Sequence, residues 1–583
     1  MIANIPPFSI LILGALLVPF FRGKLKNLYV CFLPALAFWV ISQLPLGEFL
    51  HVHFFGFDLT LLRVDRLSKI FGYIFTLNAF AAFIFAFYLK DNTQHIAALG
   101  YIGGALGVVF AGDLVTLYFF WEWMAVTSTF LILARKTKKA YGAAYRYVMI
   151  HMFGGLVLLA GLMLHIQATG SVSFELFETR GIASYLILAG VLINAAAPPF
   201  HAWLSDAYPE ATVTGGLILS AYTTKTSVYT LIRGFAGYEV LIVVGCFMAL
   251  YGIMYALLEN DMRRILAYSI INQVGFMICG VGIGTALSLN GAAAHAFCHI
   301  IYKSLLWMSA GSVLYMTGKS KCTELGGLYK TMPWTMILGT IGALAISAVP
   351  FTSGYTSKPM IMEAAVNQHL TWAWLVLEIA SAGVFLHAGI KFPYFVFFNK
   401  DRGLRPGEPP HKSMHIAMGI MAFLCIGLGL YPQPLYNLLP YDMPARVVYS
   451  FGGVVKQFQL LMLSALSFFV FLKLLKRTDT IAIDTDIIWR LGGRGFYWLM
   501  DKILNGVNAV CDLVFAQGLS KLASAAFVNA PLRITQLILF PVLKGAQRER
   551  LTKQFKAGLS PVGLSVAVSM LYLFGMIVFT LNR

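Results

Sequence analysis

The sequence predicts an all-α polytopic membrane protein of about 14–16 transmembrane helices, with two inverted five-helix repeats that each contain a broken helix. Three observations carry this. Of 583 residues, 59% are hydrophobic and 12% are charged, about half the charge that a soluble chain carries. Apolar runs long enough to cross a bilayer recur along the chain and do not alternate as barrel strands would. Two of these runs are interrupted by proline, in LINAAAPPFHAWL (192–204) and LAISAVPFTSGYTSK (344–358).

The same composition excludes a soluble multidomain enzyme, a disordered chain and, despite the net charge of +18, a nucleic-acid binder. Seven scattered cysteines form no CxxC pair, so no zinc or iron–sulfur framework is readable and no cofactor or metal is expected. The apolar N-terminus lacks a basic region and a cleavage site and reads as a first span.

The chain divides in order into N-terminal helices (1–94), a first repeat (95–236), a second repeat (237–400) and C-terminal helices (401–477). Residues 478–556 mix apolar stretches with ten basic and six acidic residues, which suits an amphipathic segment along the membrane or against partner subunits. A final span is expected within 557–583. Lysine and arginine test the layout, because they concentrate in cytoplasmic loops. Loops on one side hold 20 and loops on the other hold 7, with no slip in parity through fifteen spans. That bias places the N-terminus outside a cytoplasmic membrane.

Four lysines fall within spans: Lys225, Lys303, Lys358 and Lys391. A charge at the bilayer centre costs several kcal/mol unless paired or hydrated, so each is a functional candidate. Lys391 is near a span end, where snorkelling to the interface is the rival reading. Glu122, in LYFFWEWMAV, is the clearest intramembrane acid, and Glu363 and Glu378 are further candidates. His295, His299 and Lys303 are spaced by four and four, one helical stripe about 12 Å tall. Such a row gives a proton short hops. The His-x3-His spacing also suits haem or metal ligation, with His151 and His165 as a second pair. The lysine that continues the stripe favours a proton path.

Proline removes a backbone donor and clashes with the preceding turn. Unwound backbone at membrane depth survives only where protein or water covers it. Five spans separate the two breaks, an odd number, so the second unit is inverted relative to the first. Paired breaks of this kind point to a midplane ion site, whereas two unrelated proline kinks would be the plain alternative.

Several segments together resemble the antiporter-like membrane subunits of NADH:quinone oxidoreductase, membrane-bound hydrogenases and Mrp-type Na+/H+ antiporters, the D subunit of the Mrp group above all. They are GDLVTLYFFWEWM (112–124), PPFHAWLSDAYPEA (198–211), TKTSVYTLIR (224–233), DMRRILAYSIINQVGFM (261–277), HAFCHIIYKSLLWMSAG (295–311) and VPFTSGYTSKPMIMEA (349–364). The resemblance implies an ion-translocating subunit that moves H+, or exchanges it for Na+, along a midplane axis of Glu122, Lys225, His295, His299, Lys303 and Lys358. It also implies other membrane subunits as partners. If the complex is an oxidoreductase, redox chemistry falls to those partners. The family carries a lysine where this chain has Asn194, so Glu122 needs a different partner, with His151 or Lys225 as substitutes. The usual proline and serine after the first break are also replaced, within EATVTGG (210–216).

Overall fold

The computed structural model describes residues 5–442, 448–475, 477–478, 484–523 and 540–556, with isolated positions between 525 and 576. The expected final span lies almost wholly outside the described residues. The chain forms two compact units, Met1–Asp486 and Ile487–Arg583.

In the first unit, α1 (Pro7–Leu17) and α2 (Gly23–Gln43) precede strands β1 (Gly47–Phe54) and β2 (Phe57–Val64). The strands pair antiparallel, Gly47 opposite Val64. This hairpin is an addition to the all-α expectation. Phe55 and Gly56 at its tip both have positive φ, the conformation a two-residue hairpin turn needs to match strand twist.

Helix α3 (Arg66–Phe85) leads into the first repeat, which contains α4 (Asn92–Phe110), α5 (Leu114–Leu133), α6 (Lys138–Thr169), α7 (Ile182–Asn194), α8 (Ala202–Ala207), α9 (Val213–Leu219) and α10 (Thr223–Gly234). The second contains α11 (Val240–Leu258), α12 (Met262–Ile283), α13 (Ala286–Thr317), α14 (Pro333–Ile346), α15 (Ser353–Asn367) and α16 (Thr371–Val384). The helix α16 runs on as a wider-wound stretch through Lys391. Then come α17 (Lys412–Leu430), a short α18 (Gln433–Tyr436) and α19 (Phe451–Val470).

Among the described helices, 11 are long and apolar enough to cross a membrane, and three shorter apolar ones join them. The 11 alone fall short of the expected 14–16 for physical reasons, and the three shorter helices bring the number to 14. The breaks leave short pieces such as α8, α9 and α15. The helix α13 is long but lowers its own hydropathy by carrying the histidine–lysine stripe.

Internal symmetry is visible in local geometry. Both α6 and α13 are 32 residues long, each N-capped by a threonine (Thr137, Thr285) and ended by a left-handed glycine (Gly170, Gly318). Backbone bridges Asp113–Ser173 and Asp261–Lys321 close the two loops. All these features are displaced by 148 residues. The breaks repeat as well. Past α7, Ala196 is left-handed and the Ala197 N–H donates to Leu192 O at 3.0 Å; past α14, Ala348 is left-handed and the Val349 N–H donates to Leu344 O at 3.2 Å. Backbone left open by proline is thus recaptured in the same way twice.

The most buried helices are α12 and the middle of α13, where every residue from Ser288 to Val313 is inaccessible or nearly so. In the second unit, α20 (Asp486–Cys511) occupies the expected amphipathic segment and exposes Trp498, Leu504 and Val510.

Candidate functional site

The site is built where the two breaks meet α12 and α13. On α13, the four-residue spacing places His295, His299 and Lys303 on one fully buried face. His295 Nδ1 lies 3.0 Å from Ser357 Oγ of α15, and its Nε2 lies 3.1 Å from Gln273 Oε1 of α12. Tyr302 Oη donates to the same Gln273 oxygen at 3.2 Å. His299 packs edge-on to Tyr302 at 5.4 Å, and among the described residues neither of its ring nitrogens has a hydrogen-bond partner. Lys303 Nζ is also without one. A buried ammonium lacking a partner costs several kcal/mol, which makes this position a candidate functional one.

Lys225 and Lys358 flank the stripe from the broken elements. Lys225, in the first turn of α10, donates to Ser220 O at 2.8 Å and Thr224 Oγ1 at 3.1 Å. That carbonyl is free because the chain is interrupted between α9 and α10. Lys358 reaches back across the second break to Ile346 O at 3.2 Å and lies over the Phe276 ring at 5.1 Å. Lys225, Lys303 and Lys358 are all within electrostatic reach of His299. Asn78 of α3 ties the layers together, donating to Tyr222 Oη and accepting from Ser304 Oγ at 2.6 Å.

Glu122 on α5 is placed differently. A Cβ on Gly155 of α6 would come within 1.9 Å of Glu122 Oε1, so glycine leaves the notch that the carboxylate fills. Among the described residues Oε1 has no hydrogen-bond partner. One turn away on α6, buried His151 packs at a tilt on Tyr147 at 4.1 Å and edge-on to Trp203 at 4.6 Å, and it faces Asn194. His165 packs on Phe177 at 5.0 Å. Among the described residues no cluster of three His, Cys, Asp or Glu could hold a metal ion.

Lys391 does not snorkel. It is fully buried, and its Nζ donates to Ala256 O (2.6 Å), Leu257 O (2.9 Å) and Glu259 O (2.8 Å), capping the C-terminal end of α11. Beside the second break a cavity of about 360 Å³ is lined by Tyr355, Glu363, Trp374, Glu378, Lys456 and Gln457. In it Lys456 Nζ sits 2.5 Å from Glu378 Oε1 and over Trp374 at 4.9 Å.

Sequence reading finds the stripe, the intramembrane lysines and both proline breaks. It misses the interruption at Ser220–Tyr222, which has no proline to announce it, and the roles of Gln273, Asn78 and Gly155. Amides within apolar runs are the signal that was available for Gln273 and Asn78.

Residues 111–383 match the family model described as NADH:quinone oxidoreductase/Mrp antiporter, transmembrane. That stretch resembles the membrane domain of this family. Over 446 residues the chain is 27% identical to the D subunit of the Na(+)/H(+) antiporter of Alkalihalophilus pseudofirmus, covering 69% of this chain and 89% of that one. It is 29% identical over 507 residues to the A subunit from the same organism, covering 76% of this chain but only 62% of that longer one. The fold also matches a chain in the structure of the membrane-bound sulfane sulfur reductase, an archaeal respiratory membrane complex. There the TM-score is 0.67 at 23% identity, over 78% of this chain and 98% of that one. The same fold thus occurs within a respiratory membrane complex. This chain has the helical architecture of an ion-translocating membrane subunit.

Proposed function

We propose that the chain carries protons, or exchanges them for Na+, as one membrane component of a multisubunit complex in the cytoplasmic membrane, with its N-terminus outside. The observation that carries this reading is the buried His295–His299–Lys303 row, flanked by Lys225 and Lys358 at two interrupted helices. Isolated buried cations are costly, and a row of them is sensible where charge is passed along. Protons enter the first repeat near Glu122 and His151, pass Lys225, run along His299 and Lys303, and reach Lys358. From there the route opens into the cavity lined by Glu363, Glu378 and Lys456, on the side that the positive-inside bias assigns to the exterior. Lys391 serves as a helix cap that holds α11 beside this route.

Coupled H+ or Na+ flux in vesicles carrying the assembled complex tests the reading. Lys303→Ala or Lys358→Ala should abolish the flux while leaving assembly intact. Unchanged flux in both variants overturns the assignment. The likeness to a respiratory assembly supports a second reading, the membrane arm of a redox enzyme whose chemistry resides on partners. Co-purification of a redox partner separates the two.

A further inference from the structure

One buried acid lies outside the route just described and beyond the matched stretch 111–383. Asp484 follows α19 and precedes α20, yet it is only 5% exposed. Its carboxylate lies 3.0 Å from His201 Nε2 and accepts hydrogen bonds from Tyr251 Oη, Tyr268 Oη and the Thr485 N–H. His201 is the last residue of the first break and is wholly inaccessible. Tyr251 and Tyr268 come from α11 and α12 of the second repeat. A single carboxylate from the C-terminal segment therefore joins the inner half of the first broken helix to the second repeat.

We infer that Asp484 and His201 form a proton-relay pair at the inward mouth of the first broken helix, with Asp484 a positioning and accepting group for the imidazole. The inference rests on the proton-translocating function proposed above. Three observations favour a relay over a simple anchor. The carboxylate already has three other donors, so a histidine is not needed to satisfy it. Among the described residues Nδ1 of His201 has no hydrogen-bond partner, so the ring is held at one nitrogen and open at the other. Two residues on, Trp203 meets His151 edge-on, which places the pair at the start of a line of side chains leading toward Glu122. In the relay, Asp484 stays ionised and accepts the Nε2–H hydrogen bond, while Nδ1 takes a proton from the inward side and hands it on along that line, so the ring returns neutral and the proton count is conserved. Burial by itself raises the Asp484 carboxyl. The hydrogen bonds from His201, Tyr251 and Tyr268 outweigh it and hold the group well below the usual carboxylate range.

The test uses the full assembled complex in vesicles, with flux expressed per assembled complex. Asp484→Asn and His201→Gln should each lower flux about tenfold, the effect of roughly one unit of proton affinity. The double variant should be no worse than either single one, and Asp484→Glu should restore most of the flux. Lys303→Ala serves as the control. If Lys303→Ala abolishes flux while Asp484→Asn leaves flux per complex unchanged, the relay pair is overturned and the translocation route stands. If Asp484→Asn lowers assembly and flux in proportion, Asp484 is an anchor only and the relay is again overturned. If Lys303→Ala leaves flux intact, the underlying function falls instead.

Discussion

The two repeats place the same backbone in the same register and fill it with different chemistry. Displaced by 148 residues, His151 of α6 corresponds to His299 of α13, and Gly155 corresponds to Lys303. The second repeat projects an ammonium from its long central helix into the core. The first leaves a glycine notch there and fills it with the Glu122 carboxylate from the neighbouring helix. Both histidines are buried, and among the described residues each has at least one ring nitrogen without a hydrogen-bond partner. One scaffold thus supports a cationic centre in one half and an anionic one in the other. The difference lies in which helix supplies the charge, since the fold is common to both.

The sharpest way to break this comparison is to remove the two histidines separately. If the cationic half carries the central relay, His299→Ala should cut coupled flux about a hundredfold, the scale of a lost proton-transfer group. His151→Ala should cost about tenfold or less. Equal losses would show that the halves carry equal traffic, and the asymmetry of charge would then have no kinetic meaning.

Legibility in the sequence followed the same division. The second repeat was readable because its elements are local: three titratable residues at helical spacing, and a proline followed eight residues later by Lys358. The first repeat was less so. Glu122 stands out as an acid in an apolar run, but its binding notch depends on Gly155, thirty-three residues away on another helix, and a glycine in a membrane helix is ordinary by itself. The break before Lys225 forms without proline. The cap role of Lys391 depends on carbonyls at the end of α11, more than 130 residues earlier. Asp484 lies in a segment whose composition announces only amphipathicity. Periodicity and proline report what one helix does, and contacts between helices leave little trace in a single sequence.

The notch itself offers a second test. Gly155→Val places a branched side chain where Glu122 Oε1 now lies, and overpacking of this kind costs about 1–3 kcal/mol. The expected result is a lower thermal midpoint of the assembled complex together with reduced flux, relieved in part by Glu122→Ala, which vacates the space. If Gly155→Val is tolerated without either change, the carboxylate does not occupy the notch.

A smaller effect is expected at Lys391. Replacing it with methionine removes three hydrogen bonds, but Arg477 also donates to Leu257 O at 2.7 Å and to Glu259 O at 2.9 Å. Only Ala256 O loses its side-chain partner outright, so the loss should be about 1 kcal/mol. Flux per assembled complex should be retained. A collapse of flux without loss of stability would move Lys391 from a cap to a station on the route.

The smallest change is expected from Asn194→Lys, which installs the charge that the family resemblance implies before the first break. Asn194 is buried beside His151, and its Oδ1 is without a hydrogen-bond partner. An ammonium there would gain Glu122 as a counter-charge, but it would also have to leave water. Coulomb gain and desolvation nearly cancel for such buried pairs, so stability should move by no more than about 1 kcal/mol. If His151 already does the work of the missing lysine, the new charge adds a redundant carrier, and flux should change by less than about threefold. A rise of tenfold or more would show that position 194 is a gap that throttles the first repeat. The anionic half would then be a weakened copy of the cationic one rather than a different solution on the same scaffold.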